Sequence, residues 1–208
     1  MFKKKNLVIF LITFFLVAET SLYSYSSNPE DFVKELVTES INKLSDKNLT
    51  KEEKVEFVEK VAKENVDIKA LSLYTLGELR KSSNESDLKS YQNSFESYFL
   101  KSLTSRLSDY SSSKFEITVV EKKSTNYTIV SSKVIPEDGS PEVKIDWRIY
   151  TKNPEKPLIR DLIVEGLSLA RTQKEEFASI LNSNNNDIIV LIKRLDEFVK
   201  NWFGGPAR

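Results

Sequence analysis

The 208-residue chain is long enough for a sizeable core, but with no histidine and no cysteine it lacks Ser-His-Asp and Cys-His machinery, disulfides and the usual zinc sites. Its 31 basic residues balance its 31 acidic ones and the two signs are interspersed, which argues against non-specific binding of nucleic acid. Its five glycines fall in no GxGxxG or GxxxxGK pattern, so no phosphate-cradling loop is expected.

The first segment has three parts. Lys3, Lys4 and Lys5 form a basic start, Leu7 to Ala18 an apolar run broken only by Thr13, and Ser21, Ser24, Ser26 and Ser27 a small-residue exit. That order predicts a secretory signal peptide over residues 1–26, with cleavage after Ser24 or Ser26. An uncleaved anchor would want about 20 apolar residues, more than this run supplies. No Cys follows the run, so a lipid-modified N-terminus is excluded. Removal of 1–26 leaves 28 basic against 30 acidic residues. An exported protein without disulfides suits the cell envelope, with stability supplied by a large core.

Residues 27–203 read as a single domain, with a helical part over 29–112. Phe32, Leu36, Val37, Ile41 and Leu44 recur at helical spacing after Pro29-Glu30-Asp31, which suits a first turn. Thr50 followed by Glu53 is a capping-box signature and opens a second helix carrying Val55, Phe57, Val58 and Val61. Asp67 is expected to cap a third, with Leu71, Leu73, Tyr74, Leu76 and Leu79 on more than one stripe and so buried on several sides. After Ser82-Ser83-Asn84, the longest helix is predicted from Glu85 to Tyr110, with an aromatic-rich stripe of Tyr91, Phe95, Tyr98 and Phe99.

Beyond Ser111-Ser112-Ser113 the period changes to two, giving a sheet part over 114–166. Phe115, Ile117 and Val119 alternate with polar residues. Tyr127, Ile129 and Ser131 form one face of a second strand, and Val143, Ile145, Trp147 and Ile149 one face of a third. Turn signals at Ser124 to Asn126, Pro136 to Pro141 (with Asp138-Gly139) and Lys152 to Pro157 make these antiparallel. Leu158 to Val164 is the fourth strand. Glu165-Gly166 then reads as a strand-to-helix corner, with Ser168 as N-cap of a helix that buries Phe177, Ile180 and Leu181. After Asn182 to Asn186, Asp187 is expected to cap a last helix, so the C-terminal helices occupy 168–201. Gly204-Gly205-Pro206 ends it. The expected class is α+β: an antiparallel sheet of about four strands with helices gathered over one face and an N-terminal helical portion.

Chemistry is scarce along this chain. Ser111 to Lys114 fits S-x-x-K, but S-D-N and K-T-G are missing, so the match is chance. Asp161 and Glu165 would sit about 13 Å apart on a strand, too far for a glycosidase pair. With Asp146, Arg148 and Arg160 they are better placed for cross-strand ion pairs. No enzyme is predicted, and no catalytic residue, metal or cofactor. What the chain does supply is apolar surface on four broad helical stripes and one sheet face. Whether that surface closes into a dry core or encloses a ligand is not settled by periodicity.

A resemblance bears on that choice. Ile145-Asp146-Trp147, then Asp161 through Glu165-Gly166 to Ser168, then Phe177, is similar to the signature region of the MlaC, or toluene-tolerance, family of periplasmic phospholipid-binding proteins. Leu76-Gly77, Arg80, Phe95 and Tyr98 resemble that family's helical segment. The likeness runs from about Pro29 to Phe198. Lys174 stands where many members have Arg, and Gln173 where an aromatic is common.

The resemblance implies an NTF2-like, cystatin-like fold, a curved antiparallel sheet wrapped by helices with an added helical portion, and lipid tails between sheet and helices. It implies a monomeric periplasmic carrier that shuttles phospholipid, as cargo, between an outer-membrane lipoprotein complex and an inner-membrane ABC transporter with an MCE-domain subunit, maintaining outer-membrane lipid asymmetry. A carrier of another envelope lipid, hopanoid-like, and a lipid-free periplasmic chaperone or scaffold are the alternatives. Pocket residues expected from their facing are Leu73, Leu76, Phe95, Phe99, Val119, Ile129, Ile145, Trp147, Ile149, Leu162, Val164 and Leu167.

Overall fold

Helix starts fall where side-chain oxygens can take up free backbone amides. In the computed structural model, which describes residues 24–107, 113–137 and 139–201, Asn28 accepts from the amides of Glu30 and Asp31 and opens α1 (Pro29–Ser45). Thr50 and Glu53 form the reciprocal capping box at the head of α2 (Lys51–Asn65). Asp67 accepts from Ala70 N at the start of α3 (Ile68–Leu76).

The third helix is shorter than its apolar pattern suggests. Gly77 takes φ 66° as its C-cap, a conformation glycine adopts without a Cβ penalty. The chain restarts as the four-residue α4 (Leu79–Ser82). Burial on several sides does not hold for the whole of α3: Leu76 is buried, while Tyr74 is exposed. The long α5 spans Glu85–Leu107, and the expected continuation to Tyr110 and the Ser111–Ser112 break lie outside the described residues. So do residues 1–23 of the expected signal peptide, Asp138 and the Gly204-Gly205-Pro206 tail.

The sheet is an antiparallel meander in chain order: β1 (Ser113–Ser124), β2 (Tyr127–Pro136), β3 (Val143–Tyr150), β4 (Leu158–Val164) and β5 (Leu167–Ser168). It therefore has five strands rather than four. Glu165 and Gly166 have φ 49° and 82° and join Val164 to its partner Leu167, so the expected corner is a two-residue hairpin with both central residues at positive φ. Ser168 then caps α6 (Leu169–Asn182) by accepting from Arg171 N, and α7 (Ile188–Asn201) completes the described chain.

A bulge in β1 and the facing of β2 decide which residues point inward. Between Ile117 and Val119 β1 gains a residue, so Val120, not Val119, pairs with Val130. A one-residue slip moves a side chain to the other face. On β2 the buried residues are Thr128, Val130, Ser132 and Val134, the set opposite to the expected Tyr127, Ile129 and Ser131. Trp147 explains the choice. Its indole Nε1 donates to Ser132 Oγ at 2.8 Å, and that hydroxyl donates to Ile145 O at 3.1 Å. A buried indole N–H needs an acceptor, and Ser132 supplies it.

Candidate functional site

The apolar interior is divided. One cluster lies among helices and includes Leu76, Tyr91, Phe95, Phe177, Leu181 and Leu191. Its aromatic centre is tight: Phe95 stacks on Phe99 with ring centroids 6.2 Å apart and meets Phe177 edge-on at 6.2 Å. Tyr91 is fully buried, and its hydroxyl and Thr75 Oγ1 share a hydrogen bond of 2.9 Å. Burial pushes the Tyr91 phenol above the ordinary tyrosine range, against the opposing effect of Thr75.

The second cluster lies between α1 and the inner sheet face. It gathers Phe32, Val33, Leu36 and Val37 from the helix with Val130, Trp147, Ile149 and Ile159 from the strands. Among the apolar residues packed in either cluster, Val66 is shared by both. It stands just after α2, on the seam between the two cores.

That seam is fastened at one strand. Val66 bridges Ile159 of β4, and Asp67 N donates to Ile159 O at 2.9 Å. Next to Ile159, Arg160 is the extra residue of a bulge that re-aims its side chain off the ladder. Its guanidinium meets Asp67 Oδ2 at 2.8 Å through Nε and 2.7 Å through Nη2, donates to Tyr127 Oη at 2.9 Å, and lies 3.3 Å from the Tyr150 ring centroid. Burial works against its charge, but the hydrogen bonds to Tyr127 and Asp67 outweigh it and hold the guanidinium above its ordinary pKa. Asp161, the next residue, is 4 % exposed. It accepts from Ser168 Oγ at 2.6 Å and Ala170 N at 3.0 Å, and approaches Arg148 at 3.6 Å. Three consecutive residues of β4 thus tie the helices to the sheet.

The expected ion pairs are therefore half right in detail. Arg148 does reach Asp161, whereas Arg160 turns away to Asp67. Glu165 sits at the hairpin, where its N–H donates to Lys144 O at 3.0 Å and its carboxylate accepts from Lys144 N. Both carboxylates are engaged by backbone amides, which is a structural role.

The expected pocket residues separate into groups. Leu76, Phe95 and Phe99 belong to the helical cluster, and Ile145, Trp147, Ile149 and Leu162 to the sheet cluster. Leu73 and Val164 are half-buried, Val164 on the inner face opposite Ile145. Three differ from their expected facing. Val119 is 56 % exposed and, with Ile129, lies on the outer face because of the bulge and the β2 register. Leu167 is 68 % exposed because it follows a tight hairpin rather than starting a helix against the sheet.

Sequence reasoning missed Val66, Val130 and Val134, and on β1 the inward-facing position of Val120, which is still 42 % exposed. Only a slip rule for β1 could have found Val120, and no periodic signal marks Val66. Both departures from the resembled pattern have partners here: Gln173 Oε1 accepts from Tyr98 Oη at 2.9 Å, and Lys174 lies 5.0 Å from the Tyr74 ring.

Two clefts open, one among helices and one where helices meet β4. A cleft of about 170 Å³ is walled by Leu44, Leu49, Val55 and Val58, with Lys51, Lys54 and Thr104 around it. A second, of about 410 Å³, lies over Val66, Ile68 and Leu158 and is rimmed by charged side chains. Segments from α1, α2, α3, α5 and β4 all contribute to one or the other.

A meander sheet with one apolar face, a helix laid along it and a separate helical core define an α+β fold built to carry an interior seam. The chain belongs to the MlaC protein family, whose pattern matches residues 34–197. Among solved structures it is similar to a phospholipid-binding protein from Ralstonia solanacearum, determined in complex with a phospholipid, with 19 % identity and a TM-score of 0.69 over 82 % of this chain and 96 % of that one. No functionally curated protein matches the chain.

Proposed function

We propose that the protein is a phospholipid carrier of the periplasm, with the acyl chains lodged along the seam between the two apolar cores. The observation that carries this reading is the division of the interior at Val66, in a fold that superposes on a protein holding a phospholipid. Two chains of about 16 carbons, at about 0.8 kcal/mol per CH₂, would cost on the order of 25 kcal/mol if left in water. A carrier must hide nearly all of that surface. Bilayer and seam are both apolar, so transfer between them is nearly neutral and reversible. The protein then works by binding rather than catalysis, and direction comes from an energy-consuming partner or a lipid gradient. The partners proposed are an outer-membrane lipoprotein complex and an inner-membrane ABC transporter with an MCE-domain subunit.

The cleft over Val66, of about 410 Å³, is at the low end of the roughly 300–1,000 Å³ of pockets for drug-sized ligands, and a two-tailed phospholipid is larger than such ligands, so loading requires the seam to widen. Fastening at Ile159, Arg160 and Asp161 leaves the rest of the seam free to do so. The test is to extract the purified protein with organic solvent and analyse the extract by mass spectrometry. Stoichiometric phospholipid is expected; a lipid-free protein that takes up nothing from vesicles would refute the reading.

Export as a cleaved precursor belongs to the same proposal, and the packing of Tyr25 supports cleavage after Ser24 over cleavage after Ser26. Tyr25 is buried, meets Phe32 edge-on at 6.1 Å and donates to Glu39 through its hydroxyl. Cleavage after Ser24 keeps this ring, and cleavage after Ser26 discards it. Intact mass of the secreted protein is expected to place the mature N-terminus at Tyr25. A start at Ser27 would contradict that choice.

A further inference from the structure

The seam has a cover, and the cover is held unevenly. Helix α2 straddles the junction: Ala62 packs in the helical cluster, Val61 against the sheet cluster, and Val66, its C-cap, against both. From Lys51 to Phe57 no side chain of α2 is buried; its buried residues, Val58, Ala62 and Asn65, come later. Past its last turn the backbone is fixed, because Val66 bridges Ile159 and Asp67 N donates to Ile159 O at 2.9 Å. Its other end is held differently. Among the described residues one side-chain hydrogen bond joins α2 to another element, Lys54 Nζ donating to Leu44 O near the end of α1 at 2.7 Å. No residue of α2 is in an ion pair among the described residues.

Under the loosely held end lies the cleft of about 170 Å³. Leu44 and Val58 line it and are buried, yet neither belongs to either apolar cluster. They are hidden beside a void rather than within packed core. The small cleft takes Val55 and Val58 of α2 with Thr104 of α5, whereas the larger takes Lys63 and Glu64 of α2 with Glu96 of α5. The two helices therefore run antiparallel, with Ala62 and Leu100 buried in one cluster between the clefts. A helix covering a seam, fixed at one end and lightly tied over a void at the other, moves most at the lightly tied end. Resting on the carrier reading above, we propose that α2 is a lid: it pivots at Val66–Asp67, lifts at its Lys51 end when Lys54 releases Leu44 O, and so extends the small cleft along the seam for an acyl chain. A tilt of about 15° over a helix of about 22 Å raises the free end by about 6 Å, half a helix diameter. Few buried contacts oppose that motion, which places this half of α2 among the segments that open at low cost.

The chain has no cysteine, so introduced thiols are unique. Thr104 is 6 % exposed on the α5 wall of the cleft, and a bulky maleimide reaches Thr104→Cys when α2 lifts. On that background Lys54→Met, which keeps the apolar stem and loses the donor, is expected to speed labelling about fivefold, one hydrogen bond of ordinary strength being lost. Uptake of deuterated phosphatidylethanolamine from vesicles, and its release to unlabelled vesicles, are timed by mass spectrometry of the protein-bound lipid. Both rates are expected to rise by the same factor in Lys54→Met. The converse variant locks the lid. Lys51→Cys with Thr104→Cys places one thiol on α2 and one on α5 around the same cleft, and joining them with a short bismaleimide is expected to slow uptake more than about tenfold relative to either single variant carrying the same reagent.

Faster labelling with uptake and release at the wild-type rate would show that α2 lifts without admitting lipid, and would overturn the lid while the carrier reading stands. Unchanged labelling in Lys54→Met, or a crosslinked pair that loads as fast as its single variants, would overturn it in the same way. A wild type that takes up no lipid from the vesicles would overturn both.

Discussion

Asp161→Ala is expected to lower the unfolding free energy by about 3 kcal/mol, more than any exposed charge on this protein could account for. The carboxylate accepts from Ser168 Oγ and Ala170 N, with its side chain 2 % exposed in the ion pair to Arg148. Hydrogen bonds to an ionised group contribute about 1.5–3 kcal/mol each, and truncation removes both from a partly buried site. The effect spreads along the chain. Ser168 accepts from Arg171 N while donating to Asp161, so losing the carboxylate also loosens the cap of α6. Arg148 is 45 % exposed and regains water when its partner goes, so the ion pair adds little to the total. Asp161→Asn keeps one acceptor oxygen and is expected to lose about half as much. Urea unfolding checks both variants: the midpoint should fall with an unchanged slope. A loss below about 1 kcal/mol for Asp161→Ala would show that β4 and α6 are held together by packing alone.

How much of this arrangement could be read from the residues depends on which rule each element obeys. Caps were legible because they are local. Thr50 with Glu53, Asp67 and Ser168 each satisfy amides within three residues, and each stands where its spacing placed it. The strand from Leu158 to Val164 was legible for the same reason, being bounded by Pro157 and Gly166. The division of the interior was not legible. Apolar spacing shows that Phe95 and Trp147 are buried, but not that they sit in separate clusters.

Sheet facing fails where both sides of a strand carry apolar residues. Along β2, Tyr127 and Ile129 compete with Val130 and Val134, and local alternation does not choose between them. The choice comes from across the sheet, through Trp147 and its need for Ser132. A bulge then carries that choice into β1, so that Val120 replaces Val119 on the inner face. Residue-level candidates for the seam are therefore better on β3, where Ile145, Trp147 and Ile149 have only polar or half-exposed residues between them, than on its neighbours.

Ile145→Trp is expected to reduce co-purifying phospholipid by more than about tenfold while leaving the fold in place. Ile145 is half-buried on the inner face, between Ser132 of β2 and Val164 of β4, and packs against the sheet cluster without being enclosed by it. A larger side chain there projects into the space that the tails would need. In a filled core such an insertion costs about 1–3 kcal/mol; at a half-open position the ring can lie along the seam, and the low end applies. Ile149 supplies the contrast. It stands four residues further along the same face but is fully buried, so Ile149→Val removes one methyl from packed core. That change is expected to cost about 1 kcal/mol of stability with lipid content unaltered.

The two substitutions thus separate lining from core on a single strand. Lipid should respond to the first and stability to the second. Measured together by mass spectrometry and urea unfolding, the pair distinguishes a seam that opens for tails from one that is simply a boundary between two dry cores. If Ile145→Trp carries as much phospholipid as the wild type, the tails do not run past β3, and the seam does not open as far as Ile145.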